Sequence, residues 1–203
     1  DETLFTVNGG YEVVVGERQS GRSRIEAGQV TFREADLELL GRLSVGGESV
    51  LRLPGGSLRT PELVVGHLPP SQLEVEELAF VSVDAGATLE ANTLVLGDAN
   101  DGAIDVFDGS TLTGSQLLAG DRANGRAVVE DATAAFFAIG IGRQAPAAMD
   151  VLGASTVVSV ETVVGGDGEL RGDLTSTLTL DRQGVPFGTD TEVSWRVFGP
   201  TTV

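Results

Sequence analysis

The side chains of this sequence that could do chemistry are almost all carboxylates. There are 30 Asp and Glu residues, one histidine (His67), no cysteine and no lysine, so all 13 cationic side chains are arginine. Cysteine nucleophiles, Schiff-base lysines and thiolate metal sites are therefore excluded. A lone histidine cannot form a His-based zinc site, nor does it indicate a Ser-His-Asp arrangement. We interpret His67, which stands close to Pro69-Pro70, as a turn residue.

Two oxygen-rich turns could hold calcium, which takes about six to eight oxygen ligands. The first is Asp98-Ala99-Asn100-Asp101-Gly102, with Asp98, Asn100 and Asp101 as candidate ligands, and the second is Gly166-Asp167-Gly168. Neither has the spacing of an EF-hand or of a nonapeptide calcium repeat. Asp and Asn in turns also hydrogen-bond their own backbone, so a purely structural role is the alternative. No other cofactor is expected.

The formal net charge is −17, and it is distributed unevenly. Residues 60–120 contain ten acids and no arginine, whereas residues 1–59 contain nine acids and seven arginines. Nucleic acid is not expected as a partner, because its binding depends on basic patches. No long charge-free apolar run is present, so no membrane span is expected. We interpret the acidic middle as solvated surface; the alternative is that the less charged ends contact something.

The amino-acid sequence that carries these side chains is repetitive, and the repeat predicts the fold. A short apolar strand ending on glycine recurs, as in Val13-Val14-Val15-Gly16, with anchor glycines at Gly16, Gly41, Gly66, Gly97, Gly120, Gly142 and Gly165. The anchors are 25, 25, 31, 23, 22 and 23 residues apart. A roughly constant period between about 20 and 50 residues indicates a repeat architecture.

A small residue five positions after each anchor supports this register. It is found at Gly21, Gly46, Ser71, Gly102, Gly125 and Ala147, and fails after the last anchor, where Leu170 stands. A recurring glycine suggests positive φ or close approach of the next coil. Three short strands per coil follow, as at 103–106, 110–113 and 116–119. Residues 33–40 are the one stretch whose composition is compatible with a helix.

About 22 residues with three short strands make one turn of a parallel β-helix, whose coils bury their inward faces by stacking. We therefore predict an all-β, single-stranded right-handed parallel β-helix (β-solenoid) of about six coils of 22–31 residues, with terminal capping or docking strands. It would comprise an N-terminal strand or cap (1–12), solenoid repeats (13–170) and C-terminal strands (171–203). The 31-residue coil would carry its insertion at 67–70 and 76–81. A β-sandwich is the alternative fold.

Part of the repeat resembles a known class of sequences. Leu94-Val95-Leu96-Gly97-Asp98, followed by Gly102 and Asp108-Gly109-Ser110-Thr111-Leu112, resembles the glycine-rich repeats of autotransporter passengers and of PEP-CTERM-associated exported bacterial proteins. Ala85-Gly86-Ala87-Thr88-Leu89 and Leu152-Gly153-Ala154-Ser155-Thr156 match the last part of that pattern, and the resemblance covers residues 13–170. It implies a β-helix and export, with the repeats acting mostly as scaffold. The sequence departs from the second family in containing no Pro-Glu-Pro sorting tail.

The two ends of such a solenoid expose strand edges and a cross-section of the core, so they need a cap or a partner. Five of the ten aromatic residues lie in the first 11 or last 17 positions, and residues 4–7 and 192–198 alternate like strands. One interpretation is capping within the chain. The other is head-to-tail assembly by strand addition, giving an open filament. The candidate assembly residues are Leu4, Phe5, Val7, Tyr11, Val193, Trp195, Val197 and Phe198.

The expected function is that of an extracellular structural protein, a subunit of a bacterial surface fibre, sheath or matrix. Its partner would be a second copy of itself in a head-to-tail homopolymer, and it would be exported to the cell surface after signal-peptide cleavage and have no enzymatic activity. One alternative is a monomeric adhesin or carbohydrate-binding module with a groove near the 66–97 insertion, contacting a glycan or a cell surface. Another is a polysaccharide lyase or hydrolase, which would need clustered carboxylates.

Overall fold

The computed structural model describes residues 5–8, 12–15, 23–25, 29–46, 49–66, 79–173, 175–183 and 195–197, with side chains within 30–46, 49–66, 79–173 and 175–177. Over these ranges the chain is all-β and forms a parallel β-solenoid of about six turns, as predicted. The described residues include no helix long and apolar enough to cross a membrane.

Two parallel sheets run along the solenoid. The nine-stranded sheet contains, in spatial order, β1 (Phe5–Asn8), β4 (Gln29–Arg33), β7 (Val50–Pro54), β9 (Ala79–Asp84), β11 (Gly102–Phe107), β13 (Gly125–Glu130), β15 (Ala147–Leu152), β17 (Gly168–Gly172) and β19 (Trp195–Val197). The ten-stranded sheet contains β2 (Glu12–Val15), β3 (Ser23–Ile25), β5 (Ala35–Leu39), β6 (Leu43–Val45), β8 (Gly56–Val65), β10 (Thr88–Leu96), β12 (Thr111–Ala119), β14 (Thr133–Ile141), β16 (Thr156–Val164) and β18 (Thr177–Gln183).

From β9 to β17 each coil contributes one short strand to the nine-stranded sheet and one long strand to the ten-stranded sheet. The long strands consist of two paired segments separated by a bend. Between β12 and β14, for example, Gly114 pairs with Phe136 and Gln116 with Ala138, while the residue between them on each strand is left out of the register. The three short strands predicted for each coil are therefore present, with the second and third continuous.

The core lies between the sheets and is made of columns of like residues, one from each coil. One column in the ten-stranded sheet runs through Leu58, Leu89, Leu112 and Ala134, all of them buried. In the nine-stranded sheet, Ile104 pairs with Ala127 and Ala127 with Met149, again fully buried. Stacking gives each coil an apolar neighbour above and below, which no coil could provide for itself.

Residues 33–40, whose composition is compatible with a helix, form no helix, and residues 35–39 of this stretch are strand β5. Ala35, Leu37 and Leu39 of β5 are buried, while Asp36 and Glu38 between them are exposed. This alternation has the period of two that marks a half-buried strand, and stacking on the next coil outweighs the helical propensity of the composition.

The first two anchor glycines were assigned to the wrong strand. Val45 pairs with Val65, so Gly46 rather than Gly41 holds the position of Gly66 in the preceding coil. Val13–Val15 pair with residues 37–39 of β5 and not with a strand that precedes an anchor; Gly16 itself lies outside the described residues. In both cases an apolar pair before a glycine imitated the repeat.

The later anchors do form one column. The amides of Gly66, Gly97, Gly120, Gly142 and Gly165 each donate to the carbonyl of the residue before the equivalent glycine one coil earlier, at 2.7–2.9 Å. The positive φ expected five residues further on is instead found at four of the anchors themselves, for example +73° at Gly120. The close approach of a neighbouring coil is found at the later position, where a Cβ on Gly102 would collide with the carbonyl oxygen of Val65 in the preceding coil.

Two further expectations about the register need correction. The register does not break after Gly165, because Gly168 pairs with Ala147 and Leu170 pairs with Met149. The turn from Gly165 to Gly168 is two residues shorter than the turns that follow Gly97, Gly120 and Gly142. In the 31-residue coil, residues 79–81 belong to β9, and Val81 is fully buried, so they are not part of an insertion. The remainder of the expected insertion, with Ser71 and His67, lies outside the described residues.

Candidate functional site

The turn after Gly97 contains a buried carboxylate, Asp98, which is 6 % exposed. Asp98 forms an ion pair with Arg122 of the following coil, and its Oδ2 lies 3.7 Å from Nη2 of Arg42. Asp98, in the Arg-free middle of the sequence, is therefore paired with arginines that lie outside that middle part.

The other two candidate calcium ligands also have their own surroundings. Asp101 accepts hydrogen bonds from the amide and the side-chain Nδ2 of Asn124, at 3.1 and 3.0 Å. The buried Nδ2 of Asn100 has no hydrogen-bond partner among the described residues. Within the described part of the chain, no group of three or more His, Cys, Asp or Glu side chains is placed to hold a metal ion. Calcium binding by Asp98, Asn100 and Asp101 stays a prediction.

A second charged group lies on the nine-stranded sheet. Asp105, Val128, Asp150 and Arg171 occupy one column, one residue from each successive coil. Asp150 Oδ1 lies 3.4 Å from Nη1 of Arg171, and its Oδ2 lies 3.8 Å from Nε of Arg126. These contacts link neighbouring coils and leave Asp150 between two guanidinium groups.

Asp105 differs from Asp150, the other acid of this group. Its Oδ1 is buried without a hydrogen-bond partner among the described residues. Burial raises the pKa of the Asp105 carboxyl, the neighbouring Arg126 acts to lower it, and Glu130 and Asp150 add to the increase. The raised pKa follows because burial disfavours the charged form.

The shortened turn after Gly165 leaves a shallow depression of about 520 Å³ beside Pro146 and Ala147. Its charged lining includes Glu169 and Arg171, which form an ion pair with each other, while Arg171 also contacts Asp150. The arginine in this depression is therefore already paired with carboxylates of the chain itself.

The outer face of the ten-stranded sheet carries exposed apolar side chains. Phe137 is 61 % exposed, Val158 40 % and Val160 37 %. Phe137 and Val160 occupy the same bend position in successive coils, between the pairs Phe136–Ser159 and Ala138–Glu161. Val158 pairs with Ala135 on this face. We call Phe137, Val158 and Val160 the apolar patch.

Four of the predicted assembly residues lie in the terminal strands of the nine-stranded sheet. In β1, Phe5 pairs with Val30 and Val7 with Phe32. In β19, Trp195 pairs with Leu170, and Val197 pairs with Gly172. Leu170 is buried, so Trp195 is in register with a column of the core. Leu4, Tyr11, Val193 and Phe198 lie outside the described residues.

The chain matches no family model, no curated protein and no solved structure. Its interpretation therefore depends on the geometry of the solenoid itself.

Sequence reasoning missed the apolar patch, although one signal for it was present. Phe136 and Phe137 are adjacent, and side chains of successive strand residues point to opposite faces. One of the two rings must therefore lie outside. Phe136 is the buried one, and its ring lies over Gly114 of the preceding coil, where a Cβ would come within 2.9 Å of the ring.

Proposed function

We propose that this chain is an extracellular structural protein, a subunit of a bacterial surface fibre, sheath or matrix in which solenoids join end to end. The observation that supports the proposal is the state of the terminal strands. Among the described strands, β1 and β19 are the two edges of the nine-stranded sheet, and each has a partner on one side only. In the ten-stranded sheet, β18 forms one edge and β2 lies at the other end of the strand order.

A parallel solenoid whose terminal strands have no second partner among the described residues is suited to head-to-tail growth. Every strand pair in it is parallel, so a second copy displaced along the axis presents β1 to β19 and β2 to β18 in parallel orientation. Such a contact joins two different surfaces, and repetition by translation produces an open filament rather than a closed ring. Unpaired amides and carbonyls of an edge strand supply the hydrogen bonds for the addition.

The residue types at the two ends continue the pattern of the interior. Phe5 and Val7 at one end, and Trp195 and Val197 at the other, are in register with columns of the core. Stacking end on end would extend those columns across the junction, as coils do within the chain. The mechanism is mechanical: axial hydrogen bonds and apolar columns make a stiff rod, and the junctions repeat both.

Electron microscopy of the purified chain over a concentration series tests this proposal. We expect filaments one solenoid wide whose mean length grows with concentration; a monomer at every concentration would overturn the proposal. Thr6→Pro and Val7→Pro form a matched pair, because successive amides of a strand face opposite neighbours and proline removes the donor. The variant whose lost amide faces away from β4 should stop growth without lowering monomer stability, and the other should weaken the β1–β4 pairing.

A second candidate function has one observation behind it. Asp105, with its raised pKa, and Asp150, held between two arginines, lie two coils apart on one sheet. Two strand spacings are about 9.6 Å, near the separation of an acid and a base in inverting glycoside hydrolysis. Turnover of polyuronates or other polysaccharides that is lost in Asp105→Asn would favour this function. The adhesin hypothesis places its groove near the 66–97 insertion, of which residues 67–78 lie outside the described residues.

A further inference from the structure

We propose that the apolar patch is a lateral docking face for a second copy of this chain, so that rods pair side by side. This inference concerns a different surface from the junctions of the proposed filament, but it rests on that filament for its strength. Three observations carry it: the exposure of the patch, the low density of charge around it, and the residue types at its borders.

The face around the patch is almost uncharged. Strands β12, β14 and β16 contain nine residues each, and Glu161 is the one ionisable residue among them, while β18 adds Asp181 and Arg182. In the whole chain 21 % of residues are charged, and the net charge is −17. Like charges repel over about 8–10 Å at physiological salt. This face is therefore where two copies can approach with least repulsion.

The chemistry of the face fits a protein surface with an apolar centre and a polar border. Its exposed apolar side chains are Phe137, Val158 and Val160, and its exposed polar residues are Ser115, Gln116, Thr133 and Glu161. Aromatic and β-branched residues pack well against each other between sheets. Exposed apolar patches with polar borders mark interaction sites in soluble proteins.

The arrangement of the patch indicates an antiparallel pair of rods. A two-fold axis along the strand direction, between β14 and β16, places Phe137 of each copy opposite Val160 of the other and Ala135 opposite Val158. Strand β12 of one copy then lies opposite β18 of the other copy, so that Gln116 and Arg182 are at the same height along the strands. Such a contact is isologous, so each pair of residues occurs twice.

The size of the face makes this contact weak for isolated subunits. Four strands about 4.8 Å apart and about 30 Å long give roughly 570 Å² per copy. The total of roughly 1,100 Å² falls just below the usual range for stable complexes, about 1,200–2,000 Å². In a filament the same face recurs in every subunit, and many weak contacts then act together. Lateral pairing should therefore follow end-to-end growth, and should strengthen as added salt screens the acidic surfaces.

The test compares wild type, the double variant Phe137→Ser/Val160→Thr, and Leu40→Ser as control. Leu40 is also an exposed apolar side chain, 45 % exposed, but it lies outside the patch. In electron micrographs we expect wild-type and control filaments to be paired or bundled, and the double variant to give single filaments of unchanged length. Circular dichroism should show the same fold for all three.

Each outcome separates this inference from the proposed function. Wild-type filaments that stay single, or double-variant filaments that bundle like wild type, overturn the lateral face and leave end-to-end assembly intact. If no filaments form, end-to-end assembly fails, and sedimentation equilibrium up to millimolar protein decides the lateral face. A dimer whose Kd rises at least tenfold in the double variant supports it, and a monomer overturns it. Binding of a neutral polysaccharide by wild type and not by the double variant would make a glycan the occupant and also overturn it.

Discussion

Replacing Gly120 by alanine should destabilise the solenoid far more than replacing Gly109, although the two backbones are almost the same. Their φ angles are +73° and +74°. An ideal Cβ on Gly120 would lie 2.8 Å from the Cβ of Ala147 and closer still to the carbonyl oxygen of Ala145, whereas a Cβ on Gly109 has nothing within 4 Å. The pair therefore separates backbone strain from contact between coils.

The magnitudes follow from these geometries. In both variants an alanine in the left-handed conformation lowers the free energy of unfolding by about 1–2 kcal/mol. The reduced conformational entropy of the unfolded chain offsets about 0.4–1 kcal/mol of this loss. Gly120→Ala must also displace the next turn, whose Gln144 and Ala145 amides donate to the Gly120 carbonyl at 3.0 and 3.1 Å. The two weakened hydrogen bonds contribute up to about 1 kcal/mol each, and overpacking contributes about 1–3 kcal/mol. We therefore expect Gly120→Ala to be less stable than Gly109→Ala by about 3 kcal/mol.

Urea unfolding followed by circular dichroism measures the difference. With a slope of about 1–3 kcal/mol per molar urea, an excess of this size moves the midpoint of Gly120→Ala at least 1 M below that of Gly109→Ala. Gly86→Ala serves as a second control, since Gly86 has φ +74° and an equally open Cβ position. Equal unfolding free energies for the Gly120 and Gly109 variants would refute the close stacking of the turn column.

Two further predictions concern pH. Because burial raises the pKa of Asp105 in the folded state, its ionisation opposes folding above that pKa; Asp105→Asn should be more stable than wild type at pH 7, with the difference shrinking in urea titrations as pH falls toward 3.8. The pKa of Asp173 is lowered, chiefly by the Gly153 amide that donates to it at 2.7 Å. Its contribution is present above about pH 4 and lost as pH falls through the lowered pKa, so Asp173→Asn should be destabilised at pH 7 and match wild type in strong acid.

The repetitive part of the fold could be predicted because each coil encodes it again. Gly97, Gly120 and Gly142 recur with apolar strands before them, and the structure stacks them in one column. The N-terminal coils could not be aligned from sequence. There Gly41 follows two leucines and imitates an anchor, while the true position is Gly46, after Leu43-Ser44-Val45. A single sequence does not show which coil stacks on which. It therefore cannot decide which of two glycines five residues apart is the anchor.

The candidate surfaces were less predictable, because they depend on which coil stacks on which. Asp98 forms ion pairs with Arg42 and Arg122, which are 56 and 24 residues away in sequence. No local sequence pattern predicts such a contact. The apolar patch needs the same knowledge, because Phe137 and Val160 become neighbours only when β14 and β16 are paired in register.

Disulfide cross-linking between the two ends tests end-to-end assembly most directly, because the chain has no cysteine of its own. Thr6 of β1 and Arg196 of β19 occupy the same column at opposite edges of the nine-stranded sheet. Eight strand spacings, about 38 Å, separate them within one chain, far beyond the 4.4–6.8 Å between Cα atoms that a disulfide allows, so they cannot be joined within it. Across a junction in continuous register they would be about 4.8 Å apart.

We predict that Thr6→Cys/Arg196→Cys, oxidised at filament-forming concentration, gives a ladder of dimers, trimers and longer species on a non-reducing gel. Thr6→Cys/Arg126→Cys, with the second cysteine in the middle of the solenoid, should give no ladder. A monomer band alone for the first variant, under conditions where free thiols are consumed, would contradict end-to-end joining of the two edges.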